Sequence, residues 1–170
     1  IAISERTRDD IVELYGIKPG KIDIVYQGCD PQFAVPVDEA TRDRVRAKYN
    51  LPERYIIAVG TVEHRKNQLQ AVRALRHLPA DVSLIIVGGH NKDYVRDVAR
   101  EVAALGLTDR VRLLKGVPFA DLPALYSMAT VASYTSRYEG FGIPVIEAIS
   151  AGVPVIAATG SCLEEAGGPG

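Results

Sequence analysis

Two glutamates stand close together in one apolar segment of the sequence. In SRYEGFGIPVIEAISAGVPVIA, Glu139 and Glu147 are separated by seven residues, among them Gly140, Gly142 and Pro144. A pair of carboxylates can serve as general acid and base, or each carboxylate can accept hydrogen bonds from two neighbouring hydroxyl groups. The glycines let the backbone approach a ligand closely, and proline is compatible with the first turn of a helix.

The helix that this proline introduces gives the two glutamates different surroundings. It is expected over about 143–150, with its end near Gly152, so that Glu139 lies in the preceding loop and Glu147 lies one turn inside the helix. Loop N–H groups and a helix N-terminus attract an anion such as phosphate, whereas the carboxylates suit the hydroxyls of ribose or another sugar. The segment therefore predicts a nucleotide-sugar site. The alternative is a solvated loop residue followed by an ordinary helix-face residue.

A second candidate cluster is basic and lies in GTVEHRKNQ, residues 60–68. Gly60 ends an apolar run, and Arg65 and Lys66 come just before a helix expected to be capped by Asn67. Cations at a helix N-terminus are unfavourable, so this placement predicts a compensating anionic ligand; a solvated surface pair is the alternative. His64 and His90 also follow strands and are candidates for ligand contact, but no histidine or cysteine spacing indicates a metal site.

The elements that must position these residues alternate along the chain. Apolar runs typical of buried strands occupy 22–26, 55–59, 82–88, 110–116, 129–135 and 153–159. Amphipathic segments predict helices over about 4–15, 38–49, 67–78, 92–105, 121–128 and 143–150, with Asp121 as a further cap. This alternation predicts an α/β, Rossmann-like, doubly wound parallel sheet with helices on both faces. In such a sheet both candidate clusters lie at the carboxyl ends of strands, where ligands bind.

The composition of the chain narrows the range of possible functions. The 170 residues carry a net charge of -1, which argues against a nucleic-acid-binding protein that relies on a basic surface. The two cysteines are too few for a disulfide framework and favour a reducing, cytoplasmic location. No apolar run approaches the roughly 20 residues that span a bilayer. The absence of an initial methionine and the ending AGGPG suggest a piece of a longer protein.

With these motifs in order, the chain resembles the C-terminal, donor-binding domain of retaining glycosyltransferases of the GT-B fold, the glycosyl transferases group 1 of family 4. The likeness covers nearly the whole chain. Residues 1–33 resemble the interdomain entry segment, and VGTVEHRKN is similar to the phosphate-binding loop. RVRLLKGVPFADLPALY resembles the base-binding segment, and the two glutamates match the E-x7-E signature. The chain is thus expected to form a single nucleotide-sugar-binding domain over residues 1–170.

The resemblance implies a role for each candidate residue. Lys66 and Arg65 would hold the donor diphosphate beside the backbone of Gly60 and Thr61, and Glu139 would contact the transferred sugar. The remaining donor contacts would come from the ribose-binding Glu147, the base-binding main chain at Val117, and the backbone of Gly140, Phe141 and Gly142. It implies retaining transfer from a nucleoside diphosphate sugar, with no cofactor and no metal required.

The sequence also departs from the family pattern. Many members carry arginine directly after the glycine that ends the phosphate-loop strand, whereas this chain has Thr61, and Arg65 is expected to take over that charge. The acceptor-binding N-terminal domain that the resemblance implies is expected to lie outside these residues, so the isolated fragment is expected to bind donor weakly and to be inactive. That domain would also permit peripheral association with the inner membrane.

The donor expected first is GDP-mannose and second a UDP-hexose, in bacterial polysaccharide or lipopolysaccharide synthesis. Three other functions stay open. One is a non-catalytic sugar-nucleotide binding module, the second is another GT-B enzyme such as an epimerase or phosphorylase, and the third is a hydrolase that uses the two glutamates as acid and base.

Overall fold

The computed structural model describes residues 1–89 and 92–168, which form one parallel sheet flanked by helices. The described strands lie in the order β3-β2-β1-β4-β5, and every neighbouring pair is parallel. Their bounds are β1 Arg54–Val59, β2 Val82–Val87, β3 Val111–Leu114, β4 Val131–Tyr134 and β5 Val155–Ala157. The predicted doubly wound α/β fold is confirmed, and the carboxyl ends of all five strands meet at one edge.

The helices fall close to the predicted bounds. They are α1 Glu5–Tyr15, α2 Glu39–Tyr49, α3 Gln68–Leu75, α4 Lys92–Ala104, α5 Leu122–Ser127, α6 Ile143–Ser150 and α7 Leu163–Gly167. The last of these was not predicted, because its five residues are too few to show helical periodicity. None of the helices in the described part of the chain is long and apolar enough to cross a membrane.

Two apolar layers hold the helices against the sheet. On one face, α2, α5 and α6 pack through Val45, Leu125, Ala148 and neighbouring residues. On the other face, α3 and α4 pack through Val72, Leu75, Val98 and Val102. Strand β2 is buried along its whole length, as expected of a central parallel strand covered on both sides.

The strand predicted over 22–26 is wrong. In its place the chain forms a single parallel bridge between Ala2 and Ile24, with one hydrogen bond on either side. A longer ladder would need a partner of several residues, but the chain beyond Ala2 turns directly into α1, which begins at Glu5. Val25 and Tyr26 are consequently about half exposed.

Two predicted helix caps are also wrong. Asn67 precedes α3 with a left-handed backbone, φ 54°, but its side chain does not cap the helix. The Tyr94 hydroxyl accepts the hydrogen bond from Leu69 N instead, at 3.2 Å. Asp121 precedes α5 without capping it, because its carboxylate accepts hydrogen bonds from side chains of α2.

Candidate functional site

The two loops that follow β1 and β4 meet at the carboxyl edge of the sheet. We call residues 60–67 the basic loop and residues 135–142 the glutamate loop. Strands β1 and β4 are direct neighbours, so the loops start side by side. Arg137 N donates to Arg65 O at 2.8 Å, and the Thr135 hydroxyl donates to Asn67 O at 3.1 Å. This adjacency brings the predicted cations and the first predicted glutamate together.

Glycines allow the basic loop to run close to the next strand. Gly60 has φ 139° and Gly88, which follows β2, has φ 154°. A Cβ built on Gly88 would lie 2.2 Å from the carbonyl oxygen of Gly60, which no side chain tolerates. A Cβ on Gly60 would lie 3.6 Å from Lys66 Cε, so the lysine packs over the glycine that ends β1.

The Glu139 carboxylate bridges the two cations of the basic loop. Its Oε2 lies 2.7 Å from the Arg65 guanidinium, and its Oε1 lies 2.7 Å from Lys66 Nζ. Arg65 also pairs with Glu63 at 2.8 Å and donates to the Tyr138 carbonyl at 2.9 Å. The predicted need for an anion beside these cations is therefore met, in this structure, by a side chain of the protein.

A buried tyrosine completes this cluster. Tyr134, the last residue of β4, accepts a hydrogen bond from Lys66 Nζ and donates to Glu139 Oε1 at 3.3 Å. The Lys66 ammonium also lies 4.8 Å from the centre of the Tyr134 ring, a cation–π contact. Burial, reinforced by the nearby Glu139 charge, raises the pKa of Tyr134, so its hydroxyl stays protonated and able to donate. Sequence reasoning missed this residue because it reads as an ordinary inward-facing strand position.

Burial and ion pairing act on Glu139 in opposite directions. Burial of the carboxylate by itself raises its pKa, but the close contacts with Lys66 and Arg65, each at 2.7 Å, outweigh it. The pKa of Glu139 is therefore lowered, and the side chain is ionised at neutral pH although it is only 7% exposed. An ionised carboxylate of this kind is a hydrogen-bond acceptor rather than a proton donor.

The backbone at Glu139 and Gly140 is held by side chains from both ends of the chain. The Ser4 and Thr7 hydroxyls both donate to the Gly140 carbonyl, at 2.7 and 3.1 Å, and Cys162 Sγ donates to the Glu139 carbonyl at 3.0 Å. Gly142, immediately before α6, has φ 118°. Within the described residues, the N–H groups of residues 140–143 donate to no protein acceptor. Free N–H groups at a helix N-terminus suit an anion.

Glu147 lies in quite different surroundings from Glu139. It is 8% exposed, and its Oε2 accepts a hydrogen bond from the Tyr126 hydroxyl at 3.1 Å. In the part of the chain that the structure describes, no lysine or arginine forms an ion pair with it. Burial raises the pKa of Glu147, and the Tyr126 hydrogen bond only partly offsets this. The predicted position, inside the helix that follows the glutamate loop, is confirmed.

The other candidate residues are more scattered. Thr61 is exposed, and its carbonyl accepts a hydrogen bond from the Gln68 side chain at 2.9 Å. Phe141 is buried against the ring of Tyr26, with ring centroids 5.5 Å apart. Val117 packs on the core face that holds α2 and α5, beyond β3, and does not touch the ion-pair cluster.

The two histidines that were candidates for ligand contact do not join the ion-pair cluster in the part of the chain that the structure describes. His64 is exposed and contacts the ring of Tyr94 in a tilted arrangement, with ring centroids 4.5 Å apart, while His90 lies outside the described residues. No group of three or more histidine, cysteine, aspartate or glutamate side chains in residues 1–89 and 92–168 could hold a metal ion.

A wider groove of about 510 Å³ lies elsewhere, between α6, β5 and α7. Its walls are mostly apolar, with Val145, Val155 and Leu163 among them, and Thr159 and Glu164 supply the polar side chains. None of the residues of the ion-pair cluster lines it. The groove therefore has no cation to bind a diphosphate, and the paired cations and carboxylate lie together at the sheet edge.

Comparison with known proteins identifies the family. The model of the family "Glycosyl transferases group 1" matches residues 40–167. The chain belongs to this family. It is 32% identical to O-antigen chain mannosyltransferase B of Escherichia coli, over 97% of this chain and 44% of that protein. It is 30% identical to mannosylfructose-phosphate synthase of Agrobacterium fabrum strain C58, over 92% of this chain and 36% of that protein.

The fold agrees with this assignment. The structure of Anabaena HepE in complex with UDP and glucose superposes with a TM-score of 0.87, at 24% identity, over 96% of this chain and 45% of that one. The predicted likeness to the C-terminal, Rossmann-like half of the GT-B fold is confirmed. The chain spans less than half the length of these relatives.

Proposed function

We propose that this chain is the donor-binding domain of a retaining glycosyltransferase that takes a nucleoside diphosphate sugar. The observation that carries the proposal is the meeting of Arg65, Lys66 and Glu139 at one point of the sheet edge. Two cations suit a diphosphate, and a buried, ionised carboxylate beside them suits sugar hydroxyls. Membership of a glycosyltransferase family supports this reading.

Each part of the donor has a matching group. The diphosphate is held by Lys66 and Arg65, beside the backbone at Gly60 and Thr61 and the free N–H groups that precede α6. The sugar is held by Glu139. The ribose hydroxyls bind Glu147, whose side chain has only a tyrosine as its hydrogen-bond partner among the described residues. The main chain at Val117 receives the base.

Lys66 and Arg65 also assist the transfer reaction itself. When the bond between sugar and diphosphate breaks, negative charge builds up on the departing phosphate oxygens. Lys66 and Arg65 are preorganised beside that position and stabilise the charge electrostatically. No metal is required in this scheme, since fixed cations neutralise the leaving group. The acceptor is bound by a further domain, so the chain alone binds donor and does not transfer sugar.

We place GDP-mannose first and a UDP-hexose second as the donor. The mannosyltransferase and mannosylfructose-phosphate synthase names of the relatives support the first, and the UDP and glucose bound to HepE support the second. The O-antigen relative supports a role in bacterial polysaccharide or lipopolysaccharide synthesis, in the cytoplasm or at the inner membrane.

A titration tests the proposal. The chain is titrated with GDP-mannose, UDP-glucose, UDP-GlcNAc, GDP and UDP while NMR shifts and melting temperature are followed. We expect one nucleotide series to bind, and Lys66→Ala and Glu147→Ala each to weaken it about tenfold or more, the size of a lost hydrogen bond to a charged group. Lys21→Ala, an exposed lysine outside the site, is the matched control and should bind like the parent. Absence of any response at millimolar nucleotide contradicts the donor-domain proposal.

One observation favours a second candidate, glycoside hydrolysis. The pKa of Glu147 is raised and that of Glu139 is lowered, a separation that acid and base pairs use. Release of nitrophenol from nitrophenyl glycosides, abolished by either Glu139→Gln or Glu147→Gln, is the outcome that this candidate requires. The two ion pairs of Glu139 argue against it, because both carboxylate oxygens are already engaged.

A further inference from the structure

The two cations that we assign to the diphosphate are already paired with a carboxylate of the protein, that of Glu139. Each oxygen of Glu139 pairs with a different cation at 2.7 Å, which is the bridging arrangement that two phosphate oxygens would adopt. The carboxylate is buried, and its position is fixed further by the Tyr134 hydroxyl. A diphosphate that approaches Arg65 and Lys66 therefore meets cations that are already paired.

The charges of the cluster cancel. Arg65 and Lys66 contribute two positive charges, while Glu139 and Glu63, which pairs with Arg65 at 2.8 Å, contribute two negative ones. A neutral cluster offers little attraction to a free nucleoside diphosphate, which carries one more negative charge than a nucleotide sugar. Net attraction appears only when a carboxylate leaves the cations.

We infer that Glu139 is an internal competitor for the diphosphate, and that it makes the site selective for the complete nucleotide sugar over the free nucleoside diphosphate. This inference rests on the proposed function. The incoming diphosphate takes the two cations, and the displaced carboxylate, still buried, needs new hydrogen-bond donors. The hydroxyl groups of the donor sugar supply them. A free nucleoside diphosphate takes the cations but leaves the carboxylate with only the Tyr134 hydroxyl as a donor and close to the negative charge of the diphosphate.

Product release follows from the same exchange. After transfer, the sugar is gone and the remaining diphosphate carries an additional charge. Glu139 therefore displaces the free diphosphate from Arg65 and Lys66 more readily than it displaces the nucleotide sugar. The residue thus acts as a specificity determinant that disfavours the product, in addition to its contact with the sugar.

The substitution Glu139→Gln separates this role from a plain sugar contact. Glutamine is nearly the same size but neutral, so it no longer competes for the cations. We expect GDP or UDP, whichever the parent binds, to bind about tenfold tighter to Glu139→Gln, the size of one charge-assisted interaction. We also expect the preference for the corresponding GDP-mannose or UDP-glucose to fall at least as much. A residue that only contacts sugar would leave the affinity for the free nucleoside diphosphate unchanged.

Glu63→Gln is a charge-matched control. It removes one negative charge from the same cluster and leaves the bridge between Glu139 and the cations intact. We expect it to strengthen nucleoside diphosphate and nucleotide sugar alike, so that their affinity ratio stays within about twofold, since this exposed pair acts through general electrostatics. A changed ratio in Glu63→Gln equal to that in Glu139→Gln would overturn the inference, because charge alone would then explain the effect.

The measurement is calorimetric titration of GDP, GDP-mannose, UDP and UDP-glucose into the chain and its variants, with circular dichroism to check folding. If the parent binds a nucleotide but Glu139→Gln binds GDP or UDP no tighter than the parent, the competitor role is wrong and the proposed function stands. If the parent binds no nucleotide at millimolar concentration, the proposed function fails and the inference fails with it. Should Glu139→Gln not fold, Glu139→Asp keeps the charge but shortens the bridge, and the same tightening of GDP or UDP is required.

Discussion

The carboxylate of Asp121 joins α2 to the segment before α5, and we expect its loss to lower the stability of the fold in a pH-dependent way. Asp121 is 3% exposed and accepts hydrogen bonds from Arg44 at 3.0 Å, Lys48 at 2.7 Å and the Tyr49 hydroxyl at 2.7 Å. It thereby anchors the loop after β3, the segment that we assign to the base of the donor. The perturbation is Asp121→Asn, which keeps the size of the side chain and removes its charge.

The expected loss of folding free energy follows from the pKa of Asp121. Burial alone raises the pKa of Asp121, but the hydrogen bonds from Lys48, Tyr49 and Arg44 outweigh it and lower the pKa from 3.8 to about 2. At ~1.4 kcal/mol per pH unit this difference corresponds to ~2.5 kcal/mol of folding free energy. We expect ~1–2 kcal/mol, because Arg44 and Lys48 are roughly half exposed and their charges are screened by solvent.

The sign of the pH dependence is fixed by the lowered pKa. A folded-state pKa below the unfolded value stabilises the fold above the unfolded pKa, and this stabilisation is lost as the pH falls through the folded pKa. The contribution of Asp121 is therefore complete above about pH 5, reduced to about half near pH 3 and mostly gone at about pH 2. Asp121→Asn should differ most from the parent at neutral pH and least in acid.

Urea unfolding followed by circular dichroism at pH 7, 5, 4 and 3 measures this difference. Asp109→Asn is the control, since Asp109 is exposed and forms no hydrogen bond or ion pair within the described residues; it should change the free energy of unfolding by less than about 0.5 kcal/mol. A gap between parent and Asp121→Asn that stays constant from pH 7 to pH 3 would refute the electrostatic explanation. A gap below about 0.5 kcal/mol at pH 7 would show that the cluster contributes no stability.

Two further predictions concern the glutamate loop and Glu147. Gly142→Ala should lower the free energy of unfolding by ~2–4 kcal/mol, because its backbone is left-handed and the new Cβ would lie 2.7 Å from Leu163 Cδ2; Gly20→Ala, with open space around it, is the neutral control in the same urea assay. Tyr126→Phe removes the hydrogen bond that lowers the pKa of Glu147, so an NMR titration should find that pKa raised further, with a stability loss of ~1 kcal/mol. An unchanged Glu147 titration would show that Tyr126 does not hold this carboxylate.

The sheet and the long helices could be predicted because their signals are local. Near-continuous Val, Ile and Leu at 82–88 are typical of a strand buried on both faces, and β2 is such a strand. The segment 22–26 carries a similar apolar signal and fails as a strand, because a strand needs a partner and the neighbouring chain offers only Ala2. Apolar composition therefore predicts burial better than it predicts pairing.

The positions of the candidate residues relative to the helices were predicted, but the contacts between these residues were not. The spacing of Gly140, Gly142 and Pro144 places Glu139 before a helix, and the basic pair precedes another helix, as the structure shows. That Glu139 binds Arg65 and Lys66 depends on β1 and β4 being neighbours, which a strand order fixes and a local pattern does not.

The two tyrosines were missed for a related reason. Tyr134 and Tyr126 are buried aromatic residues in a strand and a helix, and their hydroxyls matter only through partners that fold against them. Each predicted glutamate accepts a hydrogen bond from one of them. A tyrosine at the end of a predicted strand, just before a loop that carries a candidate acid, is a sequence signal that could have found Tyr134. No sequence spacing indicates Tyr126.

The ion-pair cluster also explains how a buried, cationic site coexists with a stable fold. Lys66 is only 12% exposed, and an isolated ammonium at that depth would be costly to bury and would oppose the adjacent helix N-terminus. Glu139 offsets both costs, because its carboxylate neutralises the Lys66 charge in place. Under the proposed function, binding of the diphosphate therefore exchanges one anion for another. In that proposal, the affinity is set by the difference between the interactions of two anions with the same cations, so selectivity for one ligand over another can be large even where the overall binding is weak.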